Sequence, residues 1–134
     1  MSIAADYDEF LRTHRWALVT TVDGSGAPQV TMVAYHWDGR DAVVSIRNTA
    51  VKWRNLKRDP RTVFTVTDDL RFLSLHGTAE LIDGGPERDA LTRRVCDSLL
   101  PQHSKLLQAD IDKGLDASGR VIVRLVPEHA VGRV

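Results

Sequence analysis

Apolar and polar residues alternate with period two, between clusters of turn residues, along much of the chain up to about residue 82, a pattern that predicts β-strands. The run from Trp16 to Val22 is rich in β-branched and aromatic residues, and Asp23-Gly24-Ser25-Gly26 follows it as turn chemistry. A second strand is expected from Pro28 to Trp37, with Val30, Met32, Ala34 and His36 on one face and Gln29, Thr31, Val33, Tyr35 and Trp37 on the other. The second of these faces, mixed polar and aromatic, suits a flat ring lying on the strand; an ordinary sheet face at a subunit interface fits it equally well. Asp38-Gly39-Arg40 turns the chain into a third strand, Asp41 to Ile46. A fourth runs from Thr62 to Thr67, and Asp68-Asp69 leads into a long fifth from Leu70 to Ile82, where Gly77 predicts a bulge or a barrel corner. Arg120 to Val126 reads as a sixth strand, with Pro127 interrupting the tail before Val131 to Val134.

Helical spacing appears in four places. Tyr7, Phe10 and Leu11 give Asp6 to Thr13 one apolar side, Leu91, Val95 and Leu99 do so between Pro86 and Pro101, and Leu107, Ile111 and Leu115 do so from about Ser104. In that last helix Lys105, Asp110, Asp112 and Lys113 read as a solvated face. Six antiparallel strands with short helices between them predict a mainly β fold, an antiparallel barrel or half-open barrel, in one domain spanning residues 1–134. Such a barrel leaves apolar faces and edges that a second copy covers, so a homodimer is expected.

The fourth helix lies between Arg47 and Pro60. Thr49 reads as its N-cap, Val51, Trp53 and Leu56 as its apolar side, and Asp59-Pro60 as its stop. Lys57 and Arg58 in the last turn complement the helix dipole, which accounts for them. Lys52 in the first turn is different, because a cation there faces the positive end of the dipole. An anion held between Lys52 and the free N–H groups turns that repulsion into attraction. With Arg47 at the strand exit and Arg54 one turn on, the segment reads as an anchor for a phosphate or carboxylate; a solvated basic face is the competing reading.

Composition narrows the function classes. Eighteen Lys and Arg balance eighteen Asp and Glu, so bulk electrostatics favour neither nucleic acid nor a membrane surface, and any basic patch is local. The single cysteine, Cys96, excludes an intramolecular disulfide and fits a reducing cytoplasm. No apolar run reaches membrane-spanning length, and the N-terminus has no leader pattern, which predicts a soluble cytoplasmic protein. The five histidines are scattered without metal-ligand spacing, so no metal is expected. Gly-rich nucleotide loops and a Gly-x-Ser-x-Gly elbow are absent. A chain without its own nucleophile, but with an anion anchor, suits an organic cofactor that carries phosphate and acts on a small molecule.

Trp16 to Gly24, Pro28 to Gly39 and above all Lys52-x-Arg54-Asn55-Leu56-x-Arg58-Asp59-Pro60-Arg61 resemble the pyridoxamine-phosphate-oxidase-like split-barrel superfamily. Phe72 to Ala79 and the strand from Arg120 to Val126 fit as well, and the Lys-x-Arg-Asn-Leu block is similar to the actinobacterial branch of deazaflavin (coenzyme F420)-dependent oxidoreductases. The resemblance implies a six-stranded split barrel, a homodimer with two interfacial cofactor sites, and hydride transfer from reduced F420 to a small unsaturated or conjugated acceptor. FMN is the alternative cofactor, and a non-catalytic carrier of a flavin, deazaflavin or haem-type ring the alternative role. Carried over by position, the resemblance implies that Lys52 holds the phosphate with Arg54 nearby, and that Thr31, Met32 and Val33, with Ser45, Ile46, Arg47 and Asn48, contact the cofactor. It also implies that Leu70, Arg71 and Phe72 close the site from the other subunit. One departure stands out: Ala50 occupies a place where close relatives often carry arginine, and Arg47 substitutes from the strand side. Near the C-terminus, His129 and Arg133 lack the tryptophan-containing context of the enzymes that make pyridoxal phosphate, so a vitamin B6 substrate is not implied.

Overall fold

A computed structural model describes residues 2–134. Helix α1 (Ala5–Thr13) precedes β1 (Trp16–Val22), β2 (Pro28–Ala34), β3 (His36–Trp37) and β4 (Ala42–Arg47); α2 (Val51–Arg58) then leads to β5 (Arg61–Asp68) and β6 (Arg71–Ile82). Helices α3 (Gly85–Ser98), α4 (Pro101–Lys113) and α5 (Leu115–Ser118) follow, and β7 (Arg120–Arg133) closes the chain. All the pairings are antiparallel, in the order β2-β1-β5-β6-β7-β4-β3.

That order makes the sheet a barrel. Its two ends, β2 and β3, are separated in sequence by Tyr35 alone, so the sheet has to curl until they meet. Tyr35 forms the corner: its N–H donates to Arg15 O (3.1 Å), and its buried hydroxyl donates to Leu11 O (2.7 Å). Here the expected single strand from Pro28 to Trp37 is in fact two, which is why seven strands stand where six were predicted. Among the described residues no ladder joins β2 to β4, and the wall stays split along that seam.

The second difference is at Pro127. Instead of ending the strand, it lies inside a continuous β7, opposite Gly77, where the register shifts by one residue. A proline, having no N–H to give a ladder, is accommodated at a bulge. Gly77 has to be glycine there, because a Cβ would collide with the Val126 carbonyl.

Inside the barrel, Phe64, Leu73, Leu75, Val66 and Ile46 are buried, and Phe64 meets the Tyr35 ring edge-on at 4.9 Å. Helix α1 covers one end with Phe10 and Leu11, tied by Trp37 Nε1 donating to Asp8 (2.8 Å). A smaller outer core, Val43, Val95, Leu107 and Ile122 with Cys96, packs α3 and α4 on β4 and β7. On β2, Val33 on the inward side is buried whereas Val30 and Met32 are 54% and 64% exposed. The face expected to carry a ring, that of Val33, Tyr35 and Trp37, is therefore the core face, and the exposed apolar face is the opposite one.

Candidate functional site

Helix α2 is held in place by its inward side. Trp53 and Leu56 are buried, and buried Asn55 donates to Gln29 Oε1 (2.8 Å) and Thr21 Oγ1 (3.1 Å), tying the helix to β1 and β2. The helix begins one residue later than expected: Ala50, not Thr49, is the N-cap, in extended conformation and without a side-chain cap. The N–H groups of the first turn are thus not bonded to a capping side chain. Thr49 instead borders the cleft that opens beside them.

This cleft, of about 430 Å³, lies along the seam between β2 and β4. Met32, Val33 and Ala34 contribute from β2, Ser45, Ile46 and Arg47 from β4, Lys52 from α2, Leu106 from α4, Trp16 from β1 and Arg120 from β7. Lys52 is half-buried, has no carboxylate partner among the described residues, and burial lowers its pKa from the ordinary lysine value. Arg47 is committed elsewhere: its Nη2 lies 3.0 Å from Asp110 Oδ2, and Arg120 Nε lies 2.8 Å from the same oxygen. Asp110 is 6% exposed, so the expectation of a solvated α4 face fails at this residue. Burial by itself would raise the Asp110 pKa, but hydrogen bonds from Arg120 and Arg47 outweigh it and hold the carboxyl below its usual range.

Two hydroxyls at the seam are buried without a partner, Thr31 Oγ1 and Ser45 Oγ. Native interiors rarely leave such groups unpaired, and Ser45 is a residue of the cleft wall, its hydroxyl buried there without a partner. The exposed apolar surface of Met32, 64% exposed, and Trp16, 42% exposed, supplies a flat wall beside it. An apolar wall, an unpaired ammonium, uncapped helix N–H groups and an orphan hydroxyl together fit a planar ring bearing an anionic tail.

The structure brings Met32, Val33, Ser45, Ile46, Arg47 and Lys52 to one cleft, with Thr31 beside them on β2. Asn48 and Arg54 are not brought there; they border a second cleft with Trp53, Lys57 and Asp83. Lys52 and Arg54 are two apart on a helix, which turns their side chains to different sides. Leu70, Arg71 and Phe72 lie at the β5–β6 hairpin, where Leu70 is 75% exposed, and within one chain none of the three borders the Lys52 cleft. Tyr35 and His36 line a different cleft with Arg12, His14 and Asp97. Burial raises the Tyr35 pKa and lowers that of His36. Sequence reasoning missed Trp16, Leu106 and Arg120. Trp16 was signalled only by being an aromatic at the start of a strand, and no local pattern marks the other two.

The model of the pyridoxamine 5'-phosphate oxidase family matches residues 3–132. The chain belongs to that family. In fold it is similar to a conserved hypothetical protein of Mycobacterium tuberculosis, at 22% identity and TM-score 0.80, over 98% of this chain and 84% of that one. An F420 reductase matches at 22% identity and TM-score 0.73, over 96% of this chain and 98% of that one. A heme storage protein of Vibrio cholerae matches at 18% identity and TM-score 0.72, over 98% and 94%. At these identities the structural likeness establishes the split-barrel fold, which proteins described with quite different roles share.

Proposed function

We propose that this protein is an F420-dependent oxidoreductase that passes hydride from the reduced deazaflavin to a small unsaturated or conjugated acceptor. The observation that carries this reading is Lys52, a half-buried ammonium without a carboxylate partner in the first turn of an uncapped helix, facing a cleft walled by exposed apolar residues. Similarity to a structure described as an F420 reductase supports the choice of cofactor.

On this reading Lys52 and the first-turn N–H groups hold the phosphate of the tail, while Met32 and Trp16 flank the ring and Ser45 Oγ meets one of its polar edges. When bound, F420 supplies the hydride. The chain's own part is to orient the ring, exclude water from one face and neutralise the tail. A second copy covers the bare outer face of β1, β2 and β5, giving a homodimer in a reducing cytoplasm, with Leu70 to Phe72 of each protomer reaching the other's site.

A second reading, a carrier that holds a ring without turning it over, is favoured by one observation. Among the described residues no His, Cys, Tyr, Asp or Glu borders the cleft, so the only side chain there that can exchange a proton is Lys52, beside two arginines that stay protonated. Fluorescence titration of the purified protein with F420 and with FMN, followed by anaerobic oxidation of reduced F420 against a panel of conjugated acceptors, separates the readings. Micromolar F420 binding with acceptor-dependent oxidation is the expected result. F420 binding without turnover of any acceptor supports the carrier, and micromolar FMN binding without F420 binding overturns the choice of cofactor.

A further inference from the structure

Three cations border the cleft, but they are not equivalent. Lys52 has no carboxylate partner, whereas Arg47 and Arg120 converge on one carboxylate, that of Asp110. The convergence is well made. Arg47 donates from Nε (3.2 Å) and from Nη2 to both oxygens (3.0 and 3.2 Å), Arg120 donates from Nε (2.8 Å), and Arg120 Nη1 reaches back to Ser45 O (3.4 Å) across the cleft wall.

Asp110 is not free to leave this arrangement. It sits on α4, whose Leu107 is buried in the outer core, and the Ser118 hydroxyl donates to the Asp110 main-chain oxygen (3.2 Å). At its other end α4 places His103 edge-on against Trp16, with ring centres 5.0 Å apart, and between the two contacts Leu106 borders the cleft while 62% exposed. Thus α4 contributes Leu106 to the cleft wall, and its buried carboxylate, Asp110, holds two of the cleft's three cations.

We propose that Asp110 is a positioning residue that sets the charge the cleft accepts. By engaging Arg47 and Arg120 together it withdraws both guanidinium groups from the ligand and leaves the anion to Lys52. Lys52, Arg47 and Arg120 against Asp110 leave the cleft a net charge of +2 where three unpaired cations would give +3, so Asp110 lowers its preference for a doubly charged phosphomonoester, as in FMN, or a diphosphate relative to the singly charged phosphodiester group of F420. This deepens the proposed function and rests on it for the identity of the ring, but its electrostatic core concerns only the anion.

The test is a set of calorimetric titrations with F420, FMN and inorganic pyrophosphate on the full-length protein and on Asp110→Asn, Arg47→Gln and the double variant. Asparagine keeps the size and one acceptor oxygen but removes the charge. A unit charge close to a bound anion at a partly buried site is worth roughly tenfold or more in affinity. Asp110→Asn is expected to tighten FMN and pyrophosphate binding about tenfold while changing F420 affinity by less than about threefold. Adding Arg47→Gln to it should cancel most of that gain, whereas Arg47→Gln alone should cost no more than about threefold. A merely structural Asp110 would alter all ligands alike, leaving the FMN-to-F420 ratio unchanged, and that result overturns the proposal. So does a folded Asp110→Asn protein that gains no pyrophosphate affinity. Should Asp110→Asn fail to fold, a tenfold loss of pyrophosphate or FMN affinity in Arg47→Gln alone overturns it, and a loss under threefold upholds it. If neither F420 nor FMN binds the unmodified protein, the proposed function fails, while the pyrophosphate titrations still decide the role of Asp110.

Discussion

The wall of the barrel is built in two ways. Along β6 and β7 a long antiparallel ladder runs from Phe72 opposite Arg133 to Ile82 opposite Ile122, broken only at the Gly77 bulge, and its inward side chains Leu73 and Leu75 are fully buried. Along the seam of β2 and β4, among the described residues, there is no ladder, two buried hydroxyls lack partners, and a lysine is held half-buried without a carboxylate. The first region satisfies its polar groups and packs its apolar ones; the second does neither fully. Stability resides in the ladder, and on the proposed function the ligand is taken up where the fold leaves its own interactions incomplete.

The contrast is broken most severely by truncating the core beneath the ladder. Phe64→Ala, which also removes the edge-on contact with Tyr35, should cost about 3–5 kcal/mol in denaturant unfolding. Gly77→Ala should cost about 1–3 kcal/mol or more, because the bulge leaves no room between Gly77 and the Val126 carbonyl; an unchanged midpoint would mean that the backbone relaxes there.

Acid should act through Asp110. Its folded pKa lies below the unfolded value, so its contribution to stability is fully present above the ordinary carboxylate range and is lost as pH falls from about 4 toward the lowered value. Melting temperature followed from neutral pH downwards should fall less steeply in Asp110→Asn than in the unmodified protein. The smallest effect is expected at the seam. Thr31→Val removes a hydroxyl that has no partner, so it should be neutral or stabilising by up to about 1 kcal/mol, whereas the same change at a bonded threonine such as Thr62, which donates to Thr20 O (2.9 Å), should destabilise by a similar amount.

These two regions also differed in how plainly the sequence announced them. Strand alternation and the turns at Asp23-Gly24 and Asp68-Asp69 placed β1, β4, β5 and β6 to within a residue at each end, because half-buried strands need that alternation, whereas β7 runs on past Pro127 to Arg133, well beyond its expected end at Val126. The break at Tyr35 was invisible, since apolar alternation continues through it and only the return of the chain to the far end of the sheet divides the strand. The facing of β2 was misread because both of its sides carry apolar residues, Val30 and Met32 on one and Val33 and Tyr35 on the other, so periodicity alone does not say which is inside. Lys52 was legible from its place in a helix's first turn. Asp110 was not: a helical aspartate flanked by other charged residues reads as solvated surface, and its burial between two arginines from β4 and β7 is a product of tertiary packing.

The account turns on Lys52, and its most direct test pairs two measurements on Lys52→Ala: F420 affinity and unfolding free energy. A seam residue kept for binding predicts that affinity falls by at least about tenfold, while folding stability stays the same or rises by about 0.3–1 kcal/mol as a half-buried cation leaves the positive end of a helix. Unchanged F420 affinity in a folded Lys52→Ala protein would contradict it.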